Sequence, residues 1–173
     1  MIDSRGYRTN VGILIANKVG ELFWGRRVRA RGWQFPQGGV RQGESIKEAM
    51  YRELYEETGL NEKDVELLAV TKEWFSYRLP KHFINTHRTP TCIGQRQKWF
   101  LLLLTGDDQC LNLLATDKPE FKSWRWVKYW FPMRQVIYFK RHVYFKALKE
   151  LEPVLESKIG SLKEESQLVL SQP

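Results

Sequence analysis

Residues 38–60 read GGVRQGESIKEAMYRELYEETGL, and this stretch decides how the rest of the chain is read. Ser45 followed three residues later by Glu48 is a capping box, in which two side chains satisfy backbone N–H groups left free where a helix starts. Gly59 supplies the left-handed backbone that stops one. The two signals bracket a short helix over Ile46–Thr58. At about 100° per residue, Glu53 and Glu57 fall about 20° either side of the line through Ile46, near Met50 and Ala49, while Lys47, Glu48, Tyr51 and Tyr55 turn away. Glu56 lies about 80° from that line, within reach of a shared cation one turn along. Acids on an apolar stripe are costly, since unit charges about 4 Å apart repel by about 4 kcal/mol at an effective dielectric near 20. A hard divalent cation with oxygen ligands removes that cost, which points to magnesium or manganese rather than to a solvated acidic face. Gly38, Gly39 and Gly43 let the backbone approach closely, and their loop feeds a helix N-terminus, where main-chain groups help hold metal and phosphate.

This spacing is the full pattern of a Nudix box, so the chain resembles hydrolases that cut a nucleoside diphosphate linked to another group. The resemblance implies that the backbone carbonyl of Gly38 joins the metal shell and that Arg52 ties the loop to the helix, with Glu44 as its ion partner. Glu44, Arg52 and Gly59 are then structural members of the motif.

Composition sets the outer bounds. With 173 residues, 42% hydrophobic and 13% aromatic, the chain suits one domain with a substantial core. Cys92 and Cys110 are too few and too far apart for a disulfide framework, and His82, His87 and Cys92 have no metal-ligand spacing. The start, MIDSRGYRTNVGILIA, lacks the basic region and long apolar segment of a leader, and no stretch reaches membrane-spanning length, so a cytoplasmic location without membrane contact is expected. The 28 Lys and Arg against 20 Asp and Glu leave a net charge of +8, which attracts polyanions. One basic cluster, Arg26, Arg27, Arg29 and Arg31, precedes Trp33; another, Arg134, Lys140, Arg141, Lys146 and Lys149, is interleaved with Tyr138, Phe139, Tyr144 and Phe145. Cations beside rings suit a single strand of nucleic acid, and a core-facing aromatic stripe on an amphipathic helix is the competing account of the second cluster.

Strands are expected at 8–16 and 22–26 around a turn at 17–20, then at 65–71, 74–79, 97–105 and Phe121–Val127, with the run WFLLLL marking a buried central strand. A closing helix is expected over 132–151. The order is α/β, a mixed sheet sandwiched between helices as α/β/α, the Nudix fold. Residues 1–152 form the one hydrolase domain, and 153–173 a polar, flexible tail.

Segments outside the box carry a closer resemblance. GYRTNVGI, WQFPQGG, CIGQRQKWFLL, PEFKSWRWVKYW and RQVIYFKRHVY, with the box itself, make residues 1–151 similar to bacterial RNA pyrophosphohydrolases, relatives of the dinucleoside polyphosphate hydrolases. The resemblance implies removal of pyrophosphate from the 5′-triphosphate end of RNA, or of phosphate from the 5′-diphosphate end. The monophosphate left behind is more readily attacked by ribonucleases. Glu53, Glu56 and Glu57 are then the catalytic acids and, with Gly38 and Glu120, the metal ligands; Glu53 is the favoured base, although family members differ over which acid serves. Arg8 and Arg27 contact phosphate or the RNA end, and Arg27 and Phe139 hold a base between guanidinium and ring. Tyr77, Gln95, Ile137 and Lys140 line the rest of the RNA cleft, with a buried strand tyrosine and a loop-tying amide as the plainer accounts of Tyr77 and Gln95. Gly32 stands where relatives have serine, which removes a side-chain hydrogen bond to phosphate, and the loop 81–91 departs from the pattern. The expected partner is the single-stranded 5′ end of RNA, the expected state a monomer. The alternatives are hydrolysis of dinucleoside polyphosphates and, with broken acids that this chain does not have, a non-catalytic RNA-binding module.

Overall fold

In the computed structural model, β1 (Tyr7–Ala16) runs parallel to β7 (Gly94–Leu104), in register from Tyr7 opposite Gly94 to Ala16 opposite Leu103. The structure describes residues 2–29, 31–87 and 89–170. The other strands join this pair antiparallel. β2 (Leu22–Arg27) and β4 (Gln37–Gly39) pair with β1, and β5 (Val65–Val70) and β6 (Phe75–Arg78) pair with opposite ends of β7. β3 (Trp33–Gln34) and β8 (Phe121–Val127) pair with β2 and complete an eight-stranded mixed sheet.

Alternation along the central pair builds both layers. Val11, Ile13 and Ile15 of β1 and Phe100, Leu102 and Leu104 of β7 face α1 (Ile46–Thr58), whose Ala49, Met50 and Leu54 are fully buried against them. Leu14 and Ala16, with Trp99, Leu101 and Leu103, face the opposite way, onto α3 (Arg141–Leu170) through Val143, Tyr144, Ala147 and Leu148. Gly12 is required on that second face, because a Cβ there would meet the Trp99 ring at 2.6 Å. The α/β/α expectation holds, as does the continuous apolar run as a central strand.

Two expectations need correction. The segment 132–151 is not one helix: α2 (Pro132–Gln135) stops at Val136, whose ψ of 141° is extended, and a single 3-10 turn, Tyr138–Lys140, precedes α3. Val136 is buried in the core, and packing it breaks the helical path that the pattern alone suggested. The helix also does not end near Leu151, and 154–170 are helical rather than a loose tail; the last three positions of that expected tail, 171–173, lie outside the described residues. Pro153 costs an interior helix about 3 kcal/mol. Leu151, Leu155 and Ile159 continue the apolar stripe on the sheet, at about 1.5–3 kcal/mol for each fully buried side chain, and offset it. Lys158 adds an ion pair to Glu66 of β5 at 3.0 Å.

Candidate functional site

The start of α1 forms as the capping box requires. Ser45 N–H donates to Glu48 Oε2 at 2.8 Å, Glu48 N–H donates to Ser45 Oγ at 3.2 Å, and Gly59 ends the helix at φ 74°. Arg52 is the tie between loop and helix. Its Nε and Nη2 donate to the two oxygens of Glu44 at 2.7 and 2.9 Å, and Nη2 also donates to the carbonyl of Gly39 at 2.9 Å. Its Nη1 reaches Glu53 Oε1 at 2.5 Å and Glu56 Oε2 at 3.3 Å. The guanidinium holds the Glu44 carboxyl down at about 2, and that partner first among several raises Arg52 in turn.

Glu53 and Glu57 are the buried acids of the helix, 9% and 8% exposed. Burial raises the pKa of both; for Glu57 the nearby charges of Glu53 and Glu120 raise it further, although the Gln37 N–H donates to its Oε2 at 3.1 Å. A Cβ on Gly38 would sit inside the Glu53 carboxylate, so this backbone position is open only because no side chain is there. Glu56 stands apart, with one oxygen on Arg41 at 2.9 Å and the other on Arg52. Among the described residues, therefore, no three acidic, histidine or cysteine side chains meet as a ready-formed cage. The Arg52 guanidinium supplies the positive charge between Glu53 and Glu56, which the helical wheel alone did not reveal.

These acids open into a cleft of about 830 Å³. Arg8, Arg27, Gly38, Glu53, Glu57 and Glu120 line it, and so do Tyr77, Gln95, Ile137, Phe139 and Lys140. Glu56 instead lines a smaller pocket next to it, together with Glu53, Glu57 and Glu120. β1 and β7 bring Arg8 opposite Gln95 at the entrance end of the parallel pair, and the Arg8 guanidinium packs against the backbone of Gly39. Arg27 Nε donates to Glu120 Oε1 at 2.8 Å. The 3-10 turn that interrupts the closing helix turns Lys140 inward. Lys140 is 8% exposed, and its ammonium donates to Gln37 Oε1 at 3.1 Å and to Gln34 Oε1 at 3.4 Å. Burial, with Arg27 acting in the same sense, pulls it down to about 8. Phe139 packs on Tyr77 at 5.7 Å and on Phe83 at 5.4 Å between ring centroids, forming an aromatic wall.

Residues 6–151 match the NUDIX domain. The chain belongs to the Nudix family. This Nudix chain is 57% identical over 155 residues to a protein of Ectopseudomonas mendocina named RNA pyrophosphohydrolase, covering 90% of this chain and 98% of that one. It is 56% identical to the RNA pyrophosphohydrolase of Thioalkalivibrio sulfidiphilus, again over 155 residues and 90% of each chain. Its fold is similar to that of a C. elegans Ap4A hydrolase in a binary complex, with a TM-score of 0.62, 17% identity and coverage of 87% of this chain and 98% of the other. Nudix hydrolases use divalent metal ions.

The residues of this Nudix chain fit such an ion. Its buried acids offer oxygen ligands, the carboxyls of Glu53 and Glu57 repel one another, and the bare backbone of Gly38 lets the Glu53 carboxylate lie directly against it. Tyr77 is both a buried strand tyrosine and a cleft residue, and Gln95 lies in β7, not in a loop, where its Oε1 accepts from Asn10 Nδ2 at 3.1 Å. Sequence reasoning missed Asn10, Gln34, Gln37 and Phe83. The two glutamines sit in the WQFPQGG segment, and their amides are the only hint of a polar lining. Phe83 falls in the loop that departs from the family pattern, where no periodicity marks a ring as facing inward.

Proposed function

We propose that this chain is a metal-dependent RNA 5′-pyrophosphohydrolase that removes pyrophosphate from a 5′-triphosphate end, or phosphate from a 5′-diphosphate end, and leaves a monophosphate. One observation carries the reading: the buried acids of α1 share a single cleft with four basic side chains, Arg8, Arg27, Arg31 and Lys140, and with the Phe139, Tyr77 and Phe83 rings. Phosphate, base and water-activating chemistry therefore meet in one place. Relatives sharing more than half of their residues with this chain carry the name RNA pyrophosphohydrolase.

Glu53, Glu56, Glu57 and Glu120, with the Gly38 carbonyl, would hold magnesium or manganese. When bound, the metal supplies charge neutralisation of the phosphates and of the leaving oxygen. Glu53, with its pKa raised by burial, is suited to take the proton of the attacking water. Arg8 and Lys140 fix the phosphate chain from the sheet side and from the 3-10 turn. Arg27, held by Glu120, positions its guanidinium to face a base that stacks on Phe139.

The test is incubation of the protein and magnesium with RNA labelled at its 5′ γ-phosphate. Release of pyrophosphate is expected, and Glu53→Gln should lower turnover by about 10²–10⁴-fold while melting normally. Faster turnover of diadenosine tetraphosphate than of triphosphorylated RNA would move the assignment to dinucleoside polyphosphates. Unchanged turnover by a folded Glu53→Gln protein would remove Glu53 from the mechanism.

A further inference from the structure

The loop between β2 and β3 and the start of β8 form a second groove, of about 500 Å³, whose charged lining is Arg26, Arg27, Arg29, Arg31 and Lys122, with no acid. Strand pairing assembles it. Arg26 lies opposite Ser123 and Arg27 opposite Phe121, with an irregularity between them that sets Lys122 beside both arginines. The Arg27 N–H donates to the carbonyl of Gly32 at 3.1 Å and closes the loop that carries Arg29 and Arg31. Arg27, Arg31, Gly32 and Trp33 line both this groove and the catalytic cleft, so the two are continuous.

Arg27 is engaged by Glu120, but Arg26, Arg29, Arg31 and Lys122 are exposed and have no carboxylate partner among the described residues. Four unpaired cations side by side repel one another, and moderate salt screens such charges only beyond about 8–10 Å. They produce a positive potential that ends at the cleft mouth. The other basic cluster is placed differently: Lys140 is buried in the cleft, the Lys146 ammonium lies 5.7 Å over the ring of Phe75, and the exposed Arg134, Arg141 and Lys149 line neither the cleft nor this groove.

We propose that this groove is a track for the RNA strand as it leaves the cleft, with backbone phosphates downstream of the 5′-terminal nucleotides passing Arg31 and Arg29 toward Arg26 and Lys122. The inference rests on the reading of the cleft as an RNA 5′-end site. Contacts of this kind are to phosphate, so they extend the footprint on the substrate without reading its sequence. The groove is concave and continuous with the cleft, and Val28 is the one aliphatic side chain in its lining, which favours a strand over a membrane surface, where a broad apolar face would be needed beside the basic one.

The test compares wild type with the triple variant Arg26→Gln, Arg29→Gln, Lys122→Gln, none of which lines the cleft. Binding is measured by fluorescence anisotropy over a range of salt, with a single strand of about twelve nucleotides and with a 5′-triphosphorylated dinucleotide. For the longer strand, the slope of log affinity against log salt should fall by about 2, at about 0.7 per phosphate contact removed. Affinity and turnover for the dinucleotide should not change, and Arg29→Lys should keep the wild-type slope. An unchanged slope, or an equal loss on both ligands, overturns the track. So does a variant that loses binding to phosphatidylserine vesicles but keeps its RNA slope. A wild-type protein that turns over neither RNA defeats the 5′-end reading instead, while the strand-binding slope still decides the groove. Equal melting temperatures rule out misfolding as the cause.

Discussion

One methyl group on Gly38 would occupy the space of the Glu53 carboxylate, so the smallest residue in the loop and the proposed base depend on each other. Gly38→Ala is expected to displace Glu53 by about 1 Å and lower kcat by about 100-fold, with little effect on melting; normal turnover would show that the carboxylate has another workable position. Glu44 gives a second prediction of the same size of feature. Arg52 lowers its folded pKa to about 2 from an ordinary value of 4.5. A depressed acid contributes stability that is fully present above its unfolded pKa and is lost as pH falls through the folded one. The melting temperature should therefore drop between about pH 4.5 and 2, and Glu44→Gln should flatten that part of the profile. An identical acid limb in the variant would place the linkage elsewhere. Glu53 and Glu57 act in the opposite sense, because a raised carboxyl binds its proton more readily in the fold.

At the scale of elements, α1 was legible in the sequence to the residue because every determinant is local: the cap, the stop and a 3.6-residue stripe lie within the box. β8 was equally legible, its bounds set by alternation between Phe121 and Val127. The closing helix was not. Its break at Val136 depends on a distant core site, and its continuation past Pro153 depends on a sheet surface that no local pattern announces. The same limit applies at the site. The acids of α1 could be read from spacing and Arg52 from the family resemblance, whereas the pairing of Arg27 with Glu120 joins positions 93 residues apart, and Asn10, Gln34 and Gln37 become cleft residues only when three strands meet. Leu155, 3% exposed, tests whether the extension of α3 contributes to stability. Leu155→Ala should cost about 2–5 kcal/mol with kcat unchanged, measured by denaturant unfolding. A loss below about 0.5 kcal/mol, the range of surface substitutions, would mean that the helix beyond Pro153 is a bystander.

For the molecule as a whole, buried acids and an excess of basic surface are complementary. A net charge of +8 draws phosphate toward a cleft whose floor is acidic, and a cation is what reconciles the two. Magnesium added to metal-free protein at about 100 times its dissociation constant should stabilise it by about 2.7 kcal/mol, or about 5–10 °C. Glu57→Gln should melt higher than wild type without metal, because it removes a buried charge, and should lose most of that gain; an undiminished gain would exclude Glu57 as a ligand. The parallel β1 and β7 pair has a further consequence. Its Arg8 and Gln95 end holds the polar chemistry, while about 25 Å along β1 the strand closes in hydrocarbon and a turn whose Val19 is 70% exposed. That distal hairpin tip is a natural grafting point, where a fluorescent reporter or an affinity tag could be spliced into the chain while the hydrolytic end keeps working.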